Sequence, residues 1–221
     1  MAIDSISKII QSTPNQHLKA SLLNRLAHQY IDVDSKKAYD LGIQSFELSK
    51  KINDPANQVA ALSELAILDR NSGDFSSAIN HLKLALQIAE VEKDTVSISK
   101  CFITVGDIYS VLLNYDKAIS YYEEVLELNK NKQNLQVLNS YNRIGNRLMD
   151  KGKLSNDTTF ILAAISFYLK SKDMAVALNA DKEHINAYVS LADAYNIFGQ
   201  VSNNTHHLYE SLNYSMQSLQ L

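Results

Sequence analysis

Along this chain, a large apolar residue followed at once by a small one recurs every 39 to 47 residues. These pairs are Leu26-Ala27, Leu65-Ala66, Val105-Gly106, Ile144-Gly145 and Leu191-Ala192. A second small residue follows within each unit, at Ala38, Ala78, Ala118, Ala164 and Ser211. Small residues in phase let two backbones approach closely at the same place in every unit. The pattern therefore predicts stacked helix pairs, and such an array works through its surface rather than through a catalytic pocket.

The first twelve residues predict a short amphipathic helix that covers the first repeat. Ile3, Ile6, Ile9 and Ile10 fall on one helical face in this segment. The terminal unit of a stacked array needs such a cover, because its outer face would otherwise expose apolar side chains. We therefore assign residues 1–12 to a capping helix and residues 13–221 to the array.

Capping residues and glycines predict where the helices of the array begin and end. Helix starts are expected at Thr13-Pro14, Asp34-Ser35 and Asp54-Pro55, since these side chains accept hydrogen bonds from the first backbone N–H groups and proline suits the first turn. Turns between paired helices are expected at Gly73-Asp74, Asn114, Gly152 and Gly199. The repeats then run approximately over 13–53, 54–93, 94–133, 134–180 and 181–221.

The fourth and fifth repeats are each seven residues longer than the third between their two small residues. The added segments, 152–158 and 199–205, resemble each other. Seven residues make about two helical turns, so a lengthened second helix would keep its buried face in register. Alternatively, each segment is a longer loop, followed by a helix capped by Asp157 or Thr158 in one repeat and by Asn204 or Thr205 in the other.

The composition agrees with a helical array and excludes several classes of protein. Of 221 residues, 46% are apolar but only 6 are glycine and 2 proline, too few for a chain rich in turns and strands. A net charge of −3 without a basic cluster argues against nucleic acid. The lone Cys101 excludes an internal disulfide and fits a reducing compartment. Without a secretion signal or a long apolar stretch, we expect a cytoplasmic chain with no membrane insertion.

The spacing within the third repeat resembles the tetratricopeptide repeat. The matching residues are Phe102, Val105, Gly106, Tyr109, Tyr115, Ala118, Tyr122 and Val125. The second repeat matches as well, except that Asp69 stands where an aromatic residue is usual. The resemblance implies an all-α fold, a right-handed α-solenoid of about five helix-turn-helix repeats. It also implies a concave inner face, lined by the first or A helix of each repeat, that binds a protein or peptide.

In the frame of that resemblance, the inward positions of the A helices are candidate ligand-groove residues. They are Asn24, His28, Arg70, Asn71, Lys100, Asp107, Asn139, Asn142, Asn146, Asn186, Asp193 and Asn196. Asn139, Asn142 and Asn146 share one helical face by geometry alone, at i, i+3 and i+7. A carboxamide carries both a donor and an acceptor, so a ladder of them can clasp an extended peptide backbone. The alternative is that these asparagines are simply a solvated helix face.

Co-chaperone members of the resembled family grip a C-terminal carboxylate with two lysines, an arginine and two asparagines. The corresponding positions here are Asn24, His28, Glu64, Lys100 and Thr104. Four of the five are of a different type, and Glu64 would repel a carboxylate. Binding of that kind is therefore not expected.

No motif in the sequence indicates an enzyme or a cofactor. The glycines form no phosphate-binding loop, and no serine sits in a nucleophile elbow. His206, His207 and Glu210 share a helical face, but a solvated helix start explains them better than a metal site. We expect a non-catalytic chain without metal or cofactor.

Two functions follow from these observations. The first is a sensory or regulatory module that binds a peptide or partner protein, since residues 23–30 and 34–38 resemble the N-terminal repeat regions of bacterial signalling proteins. The second is an assembly scaffold. The chain ends at Leu221, inside what should be the last helix, so we expect an open apolar end: either the native protein continues, or this end pairs with another molecule as a homodimer.

Overall fold

The computed structural model describes residues 3–220, and all regular structure within that range is α-helical. The chain divides into two compact units, of which unit 1 extends to Ile108 and unit 2 begins at Tyr109. This boundary lies inside the predicted third repeat, 94–133, so the division into five equivalent repeats stays a prediction. Leu221, where we predict an open end, lies outside the described residues.

Unit 1 is built from consecutive antiparallel helices. They are α1 (Ile3–Ser12), α2 (Gln16–Tyr30), α3 (Ser35–Lys51), α4 (Pro55–Ser72), α5 (Phe75–Val91) and most of α6 (Thr95–Val111). From α1 to α5 each helix packs against the next, and α2 also contacts α4. The A helices α2 and α4 therefore lie side by side, as the tetratricopeptide pattern predicts.

Unit 2 repeats this arrangement, and its three central helices are longer than those described in unit 1. It contains α7 (Tyr115–Leu128), α8 (Leu135–Ser155), α9 (Thr158–Ala177), α10 (Asp181–Ser202) and α11 (Thr205–Ser218). Each of these helices packs against the next along the chain. α8 and α10 are the A helices of this unit, and α9 and α11 are the second or B helices.

The small residues lie at the helix crossings, as predicted. Ala38, Ala78, Ala118 and Ala164 are fully buried. Ser211 is only half-buried, and no residue of α11 between Thr205 and Ser218 is fully buried. The first four positions thus confirm close packing, whereas the fifth is looser.

α1 packs on α2, where the sequence predicts a cover over the first repeat. Ile6 on α1 is fully buried against Leu22, Leu23 and Leu26 of α2. Ile3, Ile9 and Ile10 pack around the same cluster. The amphipathic pattern was sufficient to place this helix, because only one of its faces is apolar.

Most of the predicted N-caps are confirmed, and one is wrong. Asp34, Asp54, Asp74 and Asn114 each accept a hydrogen bond from the backbone N–H three residues later. At α2 the cap is Asn15 rather than Thr13, since the Asn15 side chain accepts from the N–H of Leu18 at 3.0 Å. The helix therefore begins two residues later than the threonine and proline indicate.

The turns predicted at Gly152 and Gly199 are wrong. Both glycines lie inside helices, and the left-handed residues that end α8 and α10 are Asn156 and Asn203, with φ of 53° and 55°. A Cβ on Gly152 would lie 2.8 Å from Ile161 Cγ1, and one on Gly199 would lie 2.7 Å from Leu208 Cδ2. These glycines therefore serve close packing against the following B helix, whereas asparagine tolerates the left-handed turn.

The seven added residues lengthen helices rather than a loop, and the extension is shared between both helices of a pair instead of falling on the second helix alone. α8 continues ten residues past Gly145, whereas α6 continues five past Gly106. α9 begins six residues before Ala164, whereas α7 begins three before Ala118. The turn shortens from three residues to two. α10 and α11 show the same distribution, with Asn204 as the N-cap of α11.

Candidate functional site

Three asparagines of α8 lie on one face of unit 2, as the sequence predicts. The N-cap Asn134 starts this helix by accepting from the N–H of Val137 at 3.0 Å. Asn146 is exposed, whereas Asn139 and Asn142 are half-buried. The Oδ1 atom of Asn142 is buried and has no hydrogen-bond partner among the described residues. An acceptor in that state favours a ligand that brings a donor.

The amide group of Asn146 is oriented by Tyr168 of α9. The Tyr168 ring lies directly over Gly145, where any side chain would collide with it, and its hydroxyl lies 2.8 Å from Asn146 Oδ1. Burial, aided by the nearby Asp150 carboxylate, raises the pKa of Tyr168. The phenol therefore stays protonated and donates to Oδ1. The Asn146 amide hydrogens are then left to donate to another group.

A charged hollow of about 170 Å³ adjoins this face. Asn146 and Tyr168 line it together with Asp193 of α10 and an ion pair of α8. In that pair Arg147 Nη2 lies 3.1 Å from Asp150 Oδ2, while Arg147 Nε is buried without a partner among residues 3–220. The hollow thus presents hydrogen-bond donors and acceptors together with charges of both signs.

The α10 candidates of unit 2 do not act as one group. Asn186, Asp193 and Asn196 are all exposed, but only Asp193 lines the hollow beside Asn146. Asn196 accepts a hydrogen bond from Gln200 Nε2 at 3.1 Å on its own helix. Asn186 and Asn196 therefore remain surface residues of α10.

Unit 1 contains a larger hollow of about 400 Å³ between α2 and α4. Asn24, His28, Asn57 and Glu64 contribute to its lining. Asn24 Nδ2 donates to the backbone carbonyl of Asn57 at 3.2 Å. His28 Nδ1 lies 3.1 Å from Glu64 Oε2 and so links the two helices at the exposed end. Two of the predicted groove residues, Asn24 and His28, therefore meet in one site.

The other unit 1 candidates are tied to one another. Arg70 Nη1 lies 3.7 Å from Asp107 Oδ2, which links α4 to α6. Arg70 Nη2 also donates to Asn71 Oδ1 at 3.1 Å. Lys100 is exposed on α6. This part of the predicted groove serves mainly to connect neighbouring A helices.

Asp69, which replaces the usual aromatic residue, is paired with a histidine. Its Oδ2 atom lies 2.7 Å from His81 Nδ1 of α5, and Asp69 itself is buried. A buried carboxylate needs such a partner. The unusual residue is therefore explained by packing between α4 and α5 rather than by a ligand site.

Sequence reasoning missed three residues that shape these sites. Tyr168 was detectable only through Gly145, because a glycine facing a B helix signals a bulky neighbour. Asn57 was hidden by its position three residues after the cap Asp54, whose side chain it also contacts at 2.8 Å. The sequence indicated only that Glu64 would repel a carboxylate ligand, although its pairing with His28 places it in the unit 1 hollow.

No helix within residues 3–220 is long and apolar enough to span a membrane. The same residues contain no group of three metal-ligating side chains. His207, considered as a metal ligand, instead lies against Phe198, with ring centroids 4.4 Å apart. Burial raises the pKa of Cys101 to about 11, so this thiol stays protonated at neutral pH.

Antiparallel helix pairs with a small residue at each crossing define a tetratricopeptide-like helical repeat protein. Within that class, the family model of the soluble NSF attachment protein, SNAP, matches residues 8–143. The chain therefore belongs to the soluble NSF attachment protein family.

Curated relatives share part of this sequence. The kinesin light chain-related protein 1 of Arabidopsis thaliana is 24% identical over 151 residues, which are 66% of this chain and 25% of the relative. The soluble NSF attachment protein homolog of fowlpox virus (strain NVSL) is 26% identical over 125 residues, 53% of this chain and 42% of the relative. The chain thus spans less than half the length of both.

Solved structures confirm the predicted tetratricopeptide-like fold. BtubC (BKLC) from P. vanneervenii has a TM-score of 0.72 at 17% identity, covering 97% of this chain and 87% of that one. A Rap protein complexed with Competence and Sporulation Factor has a TM-score of 0.72 at 15% identity, covering 99% and 68%. A STAND protein with a tetratricopeptide repeat sensor from Pyrococcus horikoshii has a TM-score of 0.66 at 17% identity, covering 98% and 39%.

Proposed function

We propose that this chain is a non-catalytic binding module that holds an extended segment of a partner protein or peptide along α8. The observation that carries the proposal is the pair Asn142 and Asn146. The Oδ1 atom of Asn142 is a buried acceptor without a partner among the described residues. The amide hydrogens of Asn146 remain available to a ligand, because its hydrogen bond with Tyr168 uses only Oδ1. The two side chains lie one helical turn apart and offer complementary groups.

The spacing of these two groups suits an extended backbone. Four residues of α-helix rise about 6 Å. In an extended chain, groups two residues apart lie on the same side at roughly 6.7 Å. A ligand N–H can therefore bind Asn142 Oδ1 while a ligand carbonyl binds the Asn146 amide. Such contacts recognise the backbone, so selectivity for side chains has to come from neighbouring groups such as Arg147, Asp150 and Asp193.

Relatives support a protein-binding role. The family is named for attachment to NSF, and one protein of similar fold forms a complex with a named factor. The setting we propose is a sensory or regulatory module of a bacterial signalling protein, in the cytoplasm. The Rap and STAND structures support that setting at the level of the fold.

The test is selection of peptides from a random displayed library on the purified chain, followed by calorimetry. Binders should lose about tenfold to a hundredfold in affinity for Asn142→Ala with Asn146→Ala, since two hydrogen bonds disappear. Backbone N-methylation of the peptide should weaken binding more than single side-chain truncations do. A matched control replaces Asn80 and Asn213, which are exposed on α5 and α11. Binders that the α8 double variant retains would contradict the proposal.

A second candidate function is self-association through α11. Tyr209, Leu212 and Met216 are exposed at i, i+3 and i+7, so they form one apolar stripe. Light scattering over a concentration series tests this candidate. A strict monomer at high concentration would exclude it, whereas a dimer abolished by Leu212→Glu would support it.

A further inference from the structure

We propose that the hollow between α2 and α4 is a binding site for a basic side chain, preferably the guanidinium of an arginine, presented by a partner polypeptide. This site belongs to unit 1, and the proposal does not rest on the asparagine face of α8. Its volume of about 400 Å³ falls within the range of small-ligand pockets. The hydrogen-bonding groups that line the hollow, and those among them that remain unpaired, determine which ligand it can hold.

The floor of the hollow contains an acceptor that lacks a donor. Asn24 is 93% buried, and its Nδ2 is committed to Asn57, whose backbone carbonyl accepts at 3.2 Å. This contact fixes the amide, because reversing it would bring two oxygens together. The Asn24 Oδ1 atom then has no hydrogen-bond partner within the described residues. A buried carbonyl oxygen in this state favours an incoming N–H group.

A second acceptor carries the charge that selects a cation. The Glu64 side chain is only 21% exposed, and one of its oxygens, Oε2, lies 3.1 Å from His28 Nδ1. The side chain of Asn57 adds a third acceptor, since its Oδ1 receives only a long contact of 3.4 Å from Asn24 Nδ2. A planar guanidinium presents several N–H donors at once, which a compact ammonium cannot match.

Arg25 is a permanently cationic side chain that lines the hollow beside His28, and it is exposed on α2. It opposes a second cation by repulsion, so its removal should strengthen binding. Glu64 attracts the cation, so its neutralisation should weaken binding. The two substitutions therefore have opposite predicted signs, which a purely structural role of these residues would not produce.

The experiment is a titration of the isotope-labelled chain with two short probes, followed by NMR. One probe is acetyl-Gly-Ser-Arg-Ser-Gly-amide, and the other carries citrulline, a neutral isostere, in place of arginine. The arginine probe should shift the side-chain amide signals of Asn24 and Asn57, and it should bind at least about fivefold more tightly than the citrulline probe. The signals of Asn142 and Asn146 should stay unchanged, so failure here is distinct from failure at α8.

Variants then test the two charges. Glu64→Gln should lower affinity for the arginine probe about fivefold, and Arg25→Ala should raise it about twofold. Glu47→Gln, on the exposed surface of α3, is the matched control and should leave affinity unchanged. Equal binding of the two probes to the wild-type chain would overturn the proposal, and so would unmoved Asn24 and Asn57 signals. That comparison uses no variant, so it holds even if Glu64→Gln disturbs folding.

Discussion

The substitution Gly145→Ala tests the contact that links packing to the asparagine face. A Cβ at this position would lie 2.6 Å from Tyr168 Cε1 and 2.8 Å from Cδ1. Ordinary carbon contacts are about 3.5–4.0 Å, so the ring has to move. Tyr168 is only 3% exposed and lies in a buried cluster with Met149 and Ile165, which leaves the ring little room.

The expected magnitude follows from three opposing effects. Overpacking costs about 1–3 kcal/mol, and loss of the Tyr168 hydrogen bond to Asn146 costs about 1 kcal/mol. Replacing a helical glycine by alanine returns about 1 kcal/mol. We therefore expect Gly145→Ala to lower the free energy of unfolding by about 1–3 kcal/mol, which corresponds to a drop in Tm of roughly 3–10 °C for a chain of this size.

The assay is urea and thermal unfolding followed by far-ultraviolet circular dichroism. The matched control is the same substitution in a Tyr168→Leu background, where the ring is absent. There Gly145→Ala should be neutral or stabilising by up to about 1 kcal/mol, because only the helix propensity remains. A higher Tm for the single variant Gly145→Ala would refute the reasoning. The single variant should also bind α8-selected peptides more weakly, since Tyr168 no longer orients Asn146.

Two further predictions concern a turn and a cap. Leu113 has φ of 57° and is 71% exposed, so Leu113→Asn should stabilise the chain by about 1 kcal/mol in urea unfolding, and Asn156→Leu, at an equivalent left-handed position, should destabilise it. A destabilising effect of Leu113→Asn, or a stabilising effect of Asn156→Leu, would contradict this account. A hydrogen bond from the Ser97 hydroxyl, only partly opposed by burial, lowers the pKa of Asp94. Asp94 caps the start of α6, since its Oδ1 accepts from the backbone N–H groups of Val96 and Ser97. The stabilisation by this cap is therefore present above about pH 4 and is lost as pH falls through the lower folded pKa. Asp94→Asn should flatten the fall in unfolding free energy on acidification, and an unchanged acid profile would exclude the effect.

Helix starts were predictable because capping is short-range chemistry. At Asp34, Asp54 and Asp74 the acceptor and the donor lie three residues apart, so the sequence contains both partners of the contact. The failures at Gly152 and Gly199 have a different cause. A glycine serves either a left-handed turn or a close helix contact, and only the position of the facing helix distinguishes the two uses.

The candidate site was predictable in its helical geometry but not in its pairings. The shared face of Asn139, Asn142 and Asn146 follows from helical periodicity alone. The partner of Asn146 is Tyr168, 22 residues away, and the partner of His28 is Glu64, 36 residues away. Contacts at such separations depend on how the helices cross. Periodicity within one helix therefore gives the face but cannot say which of its polar groups are already bonded.

The two units also differ in which of their polar side chains already have a hydrogen-bond or ion-pair partner. Unit 1 joins neighbouring A helices through His28 and Glu64, and through Arg70 and Asp107. Each of these pairs is partly exposed, so it adds little stability and mainly fixes the position of one helix beside the next. On α8, by contrast, Asn142 Oδ1 has no hydrogen-bond partner within residues 3–220, and the Asn146 amide hydrogens are not used in its bond with Tyr168. A ligand that binds there breaks no existing ion pair, and its hydrogen bonds contribute directly to affinity. The unit 1 hollow fits the same pattern, because those pairings leave Asn24 Oδ1 without a hydrogen-bond partner among the described residues.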